Sequence, residues 1–225
     1  APFLVFADAD LDAAVEGALA AKLRNIGEAC TAANRFYVQR DVADEFGRRL
    51  AERFAAKRIG RGTEDGVEVG PLIDGRSRDK VHGLVTDAVS RGARIVTGGS
   101  PVDGPGWFYR PTVLTDVPAD ASVATEEIFG PVAPIVTFDT EDEAVALANS
   151  TPFGLIAYAY TTDLNRALRL PERIESGMLG LNAGVISNPA APFGGVKQSG
   201  LGREGGLEGI DEYLSTMYVG IPSPF

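Results

Sequence analysis

Short apolar runs of strand character alternate with helical patterns along most of the chain, and this rhythm limits the folds open to it. Phe36-Tyr37-Val38-Gln39 reads as a strand. Directly after it, Val42, Phe46, Leu50 and Phe54 recur every four residues, the cleanest amphipathic helix in the sequence, with Asp41 as its expected cap. The chain opens the same way: an apolar run from Ala1 to Phe6 precedes a helix capped by Asp8 or Asp10, with Leu11, Val15, Leu19 and Leu23 inward. After a glycine-rich acidic loop over 60–70, a helix with Val81, Leu84, Val85 and Ala88 inward ends near Gly92 and leads to a strand over Arg94–Thr97. Further strands are expected at 112–114, 132–138, 155–160 and 178–182, and helices at 140–149 and 164–170, the latter stopped by Pro171. Strands separated by helices imply βαβ units, and right-handed crossovers put the helices on both faces of the sheet. The fold class is therefore α/β, a mainly parallel sheet flanked by helices.

The end of the chain breaks this pattern. Leu214–Val219 alternates like a strand but no helix follows it. Residues 1–206 are expected to form one domain. Residues 207–225 are expected to form a tail that pairs with the main sheet or donates an edge to another subunit, an oligomerisation strand. The opening Ala1-Pro2-Phe3 starts inside a strand without an initiator Met, as a piece of a longer protein would.

Composition narrows the partners. Of 225 residues, 21 are Lys or Arg and 31 are Asp or Glu, a formal charge of −10, which argues against a nucleic-acid surface or an anionic membrane. No apolar run approaches the ~20 residues of a membrane span. One cysteine fits a reducing compartment, and a cytoplasmic location is expected.

That cysteine, Cys30, cannot close an intramolecular disulfide or build a metal site from thiols alone, and no metal is expected. It is either a small core hydrophobe or a nucleophile. It follows a helix and the Gly27 break and precedes a strand, a junction where a scaffold presents reactive groups. His82, the only histidine, lies in a distant helix and reads as a helix-surface residue, which leaves a thiol-protease mechanism little support. Ser199 lacks the flanking glycines of a nucleophile elbow. Glu126-Glu127, ahead of a buried strand, reads on its own as a solvated pair, and Arg24 as a cation answering the helix dipole. The glycine-dense stretch 195–206 has no Walker spacing.

Together these segments are a stronger signal than any one of them. Asn25-Ile26-Gly27-Glu28-Ala29-Cys30, Glu126-Glu127-Ile128-Phe129-Gly130-Pro131-Val132 and Pro192-Phe193-Gly194-Gly195-Val196-Lys197-Gln198-Ser199-Gly200 resemble, in order and spacing, the C-terminal half of the aldehyde dehydrogenase superfamily. The resemblance covers essentially the whole chain. It implies that Cys30 attacks an aldehyde, that its thioester is hydrolysed, and that NAD or NADP takes the hydride. Glu127 and Phe129 then bind the cofactor. Within the superfamily the chain is most similar to the succinate-semialdehyde dehydrogenases, in which Arg24 and Ser187 would hold the distal carboxylate and Phe193 an apolar wall. A planar guanidinium suits such a grip because it binds a carboxylate bidentately. Glutarate semialdehyde is the alternative substrate, and a non-catalytic, self-associating fragment the alternative class. The resemblance also implies a homo-oligomer, and it places the general-base glutamate, the cofactor-binding domain and a second substrate arginine upstream of Ala1. On that reading residues 1–225 alone are inactive. Ala32 stands where some relatives carry a second cysteine, so that disulfide switch is not available here.

Overall fold

The computed structural model describes residues 1–222. Strand β1 (Pro2–Val5) leads into helix α1 (Leu11–Leu23), and β2 (Arg35–Gln39) into α2 (Arg40–Ala55). Helix α3 (Gly75–Ser90) precedes β3 (Arg94–Thr97) and β4 (Thr112–Thr115). The short α4 (Ser122–Thr125), β5 (Val132–Phe138) and α5 (Glu141–Asn149) come next, then β6 (Phe153–Gly154), β7 (Ile156–Tyr160), α6 (Leu164–Arg173), β8 (Met178–Leu181) and β9 (Val196–Lys197). Seven strands form one sheet in the order β3-β4-β5-β2-β1-β7-β8. Only the β3–β4 edge pair is antiparallel; every other neighbouring pair is parallel.

The period-two alternation of the central strands divides the core. Phe3, Val5, Phe36, Val38 and Ile135 face α1 and α2, whereas Leu4, Phe6, Tyr37 and Val136 face α3, α5 and α6. The Phe3 ring lies 5.1 Å from those of both Phe36 and Tyr160, and all three are fully buried. Burying each such side chain is worth roughly 1.5–3 kcal/mol, so this aromatic cluster pins β1 between β2 and β7.

Some local expectations need correction. Asp10, not Asp8, caps α1, accepting from the Asp12 and Ala13 N–H groups. Asp41 does not cap α2. The helix starts at Arg40 straight out of β2, and Gln39 at the cap position turns its side chain away to accept the Ala7 N–H at 2.9 Å. Pro171 does not stop α6, which runs on to Arg173. The last turn keeps the Ile174 N–H to Leu170 bond, and Arg169 and Arg173 both pair with Glu141. The short antiparallel pair β6–β9 has too little sequence signal to be foreseen. In the tail, Glu208–Tyr213 forms a 3₁₀ turn, and 214–222 belong to neither sheet; residues 223–225 of the expected tail lie outside the described residues. Among the described residues no helix is long and apolar enough to cross a membrane.

Asp8 ties β1 to β7 across the sheet end. Burial disfavours its ionised form, but bonds from the Thr161 hydroxyl and the Asp163 and Thr162 N–H groups, with Arg166 beside it, outweigh that and hold its carboxyl at about 2, down from 3.8. A group depressed in this way contributes stability that is complete above its unfolded value and is lost as pH falls through its folded one. The urea midpoint should therefore drop between pH 4 and pH 2 more steeply in the parent chain than in Asp8→Asn; parallel profiles would remove Asp8 as a source of acid sensitivity.

Candidate active site

The end of α1 bends in a way few sequences permit. Asn25, Ile26 and Gly27 take φ of 49°, 52° and 81°, three consecutive left-handed residues. For a β-branched residue this costs free energy that the surroundings must supply. They do so through the Asn25 side-chain amide, which donates to the Glu28 carbonyl at 2.7 Å, and the Glu28 N–H, which donates to the Asn25 carbonyl at 2.8 Å. The Glu28 carboxylate accepts the Ile73 N–H at 3.2 Å, and Ile26 is buried. Residue 27 must be glycine twice over, for its φ and because a Cβ there would collide with the Gly130 carbonyl. Past this turn the chain presents Cys30 to solvent. Next to it, the Thr31 carbonyl accepts the Tyr158 hydroxyl at 2.8 Å. Among the described residues the Cys30 N–H donates to no group.

On one side of the thiol a cleft of about 280 Å³ is lined by Cys30, Arg35, Glu127, Phe129 and the backbone of Gly154. The segment 126–130 that forms one wall is held from outside. The buried Asn34 carboxamide donates to the Glu126 carbonyl at 2.8 Å and accepts the Ile128 N–H at 2.9 Å. The Lys80 ammonium donates to the Glu127 carbonyl at 2.6 Å. The Glu127 carboxylate itself is exposed and makes no hydrogen bond or ion pair among the described residues, and Phe129, at φ 51°, turns its ring outward. Behind them Lys22 is fully buried with its Nζ unpartnered. Burial pushes that amine down to about 7, partly offset by the Glu127 charge.

On the other side a smaller hollow is lined by Arg24, Thr31, Tyr158, Val185 and Ser187, and Ala29 and Ala32 line both spaces. Arg24 is exposed and has no hydrogen bond or ion pair among the described residues, unlike most arginines of this chain. Burial raises the Tyr158 phenol to about 12, with the Arg24 charge opposing. The hollow is shaped by Gly184, whose backbone lies directly on that of Gly17 in α1. Phe193 lines neither space. It is half-buried and exchanges two backbone bonds of 2.7 Å with Glu204.

The structure thus brings Cys30, Glu127 and Phe129 to one cleft and Arg24 and Ser187 to the hollow beside it, and leaves Phe193 apart from both. Sequence reasoning passed over Asn34, Tyr158 and Lys22. Lys22 had a signal, since it stands seven residues after Val15 on the inward stripe of α1. Asn34 and Tyr158 had none beyond proximity to Cys30 or position in a strand.

Comparison with known proteins agrees with this geometry. A family model described as "Aldehyde dehydrogenase family" matches residues 1–219. A succinate-semialdehyde dehydrogenase of Paenarthrobacter nicotinovorans is 64% identical over all 225 residues, which cover 50% of that protein. A glutarate-semialdehyde dehydrogenase of Pseudomonas putida is 52% identical over 97% of the chain and 45% of its own length. The crystal structure of an NADP-dependent enzyme of Escherichia coli superposes with a TM-score of 0.94 at 52% identity, over 96% of this chain and 45% of that one. The chain spans about half the length of the curated relatives it matches.

The contact at Gly27 yields a direct test. Gly27→Ala forces both a strained φ and a backbone collision, so it should cost about 2 kcal/mol or more of unfolding free energy in urea. A change below about 0.5 kcal/mol, the ordinary surface value, would show that the turn does not depend on this approach.

Proposed function

The chain belongs to the aldehyde dehydrogenase family, and from that premise we propose that it carries the nucleophile and the substrate-gripping end of an NAD(P)-dependent oxidation of succinate semialdehyde to succinate. The observation that carries the reading is the pairing of an exposed thiol with an unpaired guanidinium: Arg24 lines the hollow next to Cys30 and has no partner among the described residues. An uncommitted cation beside a nucleophile suits a substrate with an aldehyde at one end and a carboxylate at the other. Ser187 lines the same hollow, and its hydroxyl would supply a further donor.

The chemistry on the protein side starts at sulfur. The Cys30 thiolate attacks the aldehyde carbon and forms a carbon–sulfur bond, and the carbonyl π electrons move onto oxygen. The unengaged Cys30 N–H is available to donate to that oxyanion. NAD(P), when bound, supplies the acceptor for the hydride that leaves the same carbon. The acyl group stays on Cys30 as a thioester, and its hydrolysis by water returns the thiol. The residues lining the larger cleft fit such a cofactor. The Glu127 carboxylate has open acceptor positions for a ribose diol, and the exposed Phe129 ring offers a flat apolar face.

Because the chain spans about half the length of those relatives, the activity is proposed for the whole protein, and residues 1–225 alone are expected not to turn over. Glutarate semialdehyde, one methylene longer, is the second reading, favoured by the Pseudomonas putida relative's name. For the tail, the exposed Leu214, Met217, Tyr218 and Val219 support self-association.

In the whole protein, Cys30→Ser should abolish aldehyde oxidation while cofactor binding persists; a mutant that keeps most of its kcat sinks the nucleophile role. Arg24→Ala should raise KM for succinate semialdehyde at least tenfold more than KM for an uncharged aldehyde of similar length, about the worth of one charge-assisted hydrogen bond. Equal changes for both aldehydes would remove the carboxylate grip.

A further inference from the structure

Asn34 is buried, lies four residues after the thiol and immediately before β2, and spends its whole carboxamide on a segment more than ninety residues away. The pattern of its two bonds is specific. The amide donates to the carbonyl of residue 126 and the amide oxygen accepts the N–H of residue 128, so the two contacts straddle Glu127. In a parallel ladder one strand residue does the same with its own N–H and C=O, bonding the carbonyl before and the N–H after the residue it faces. The side chain therefore imitates one rung of a parallel ladder centred on Glu127. It does so outside the β2–β5 ladder, whose first backbone rung, Phe36 with Ile135, puts position 34 level with residue 133.

We propose that Asn34 is a positioning residue for the cofactor: by gripping the peptide groups on both sides of Glu127, it sets that carboxylate in register with Cys30. The inference rests on the reading of Glu127 as the cofactor's ribose ligand. Glu127 needs such external support because its side chain has no partner among the described residues, and because the strained Phe129 follows two residues later. The Lys80 bond to the Glu127 carbonyl supplies a third point, and the three together fix the backbone direction from which the carboxylate projects. The residue type matters. One planar group must offer a donor and an acceptor side by side, which only a carboxamide does; a serine hydroxyl can satisfy one of the two, and aspartate turns an acceptor toward the Glu126 carbonyl. Since Asn34 is reached from Cys30 through only three residues, displacement at either end is passed to the other.

The test uses the whole protein and four variants: Asn34→Asp, Asn34→Ser, Glu127→Ala and the double Asn34→Asp/Glu127→Ala. Cofactor Kd is read by fluorescence titration, and exchange of the Ile128 amide is read by hydrogen–deuterium exchange without cofactor. Asn34→Asp should weaken cofactor binding about tenfold or more and deprotect the Ile128 amide, and Asn34→Ser should fall between it and the parent. The double variant should bind no worse than Glu127→Ala alone, because Asn34 acts through Glu127; a general packing defect would add to it instead. Cofactor binding within twofold of the parent in both Asn34→Asp and Asn34→Ser, with Glu127→Ala impaired, would overturn the positioning role and leave the Glu127 reading intact. Unimpaired binding in Glu127→Ala would overturn that reading and this inference with it. If Asn34→Asp fails to fold, Asn34→Ser decides by the same two readouts.

Discussion

A side chain at residue 27 would occupy the space of the Gly130 carbonyl, so the turn before Cys30 and the segment carrying Glu127 meet backbone to backbone. Nothing softer lies between them. Two bare peptide surfaces in contact have one well-defined separation, whereas side chains would let it vary with rotamer. The left-handed conformations of Asn25 and Ile26 follow from this, since the chain must leave α1 and reverse within one turn to bring Gly27 against that surface. The Asn34 carboxamide and the Glu28–Ile73 bond then close the contact on either flank. The thiol and the acidic segment lie in different βαβ units and are brought together by this contact rather than by the sheet.

Charge is distributed to match. Arginines away from the site mostly answer carboxylates: Arg166, Arg169 and Arg173 converge on Glu141, and Arg48 and Arg49 share Glu45. Exposed pairs such as Arg48–Glu45 contribute little individually. Arg24 and Glu127, which line the spaces on opposite sides of Cys30, have no partner among the described residues, as Arg61 and Arg110 have none away from the site. With 31 acidic residues in 225, an exposed guanidinium that finds no carboxylate is held apart by geometry and not by scarcity.

Much of the fold was legible because the central strands announce themselves as apolar runs, such as Phe36 to Val38, and α2 by periodicity, Val42 to Phe54 in steps of four. What escaped was local competition. Asp41 had the right chemistry for a cap, but β2 enters α2 without a turn, leaving it two positions past the cap at Gln39. Pro171 had the right chemistry for a stop, but Glu141 on the preceding helix α5 holds the arginines on either side of it. At the site, Cys30 and Glu127 could be singled out by motif, whereas Asn34 and Tyr158 owe their roles to partners 92 and 127 residues away, which no pattern in a single chain encodes.

Tyr158 links the core to the reactive loop. Its ring is part of the buried layer between the sheet and α1, packed 5.8 Å from Phe3, while its hydroxyl holds the carbonyl next to the thiol. One rigid side chain therefore spans from the most protected layer of the molecule to an exposed reactive loop. Loops of that kind normally belong to the least stable cooperative unit of a domain and open on their own. Here the anchor makes opening at Cys30 draw on the free energy of the aromatic layer, so the reactive end is given the persistence of the interior.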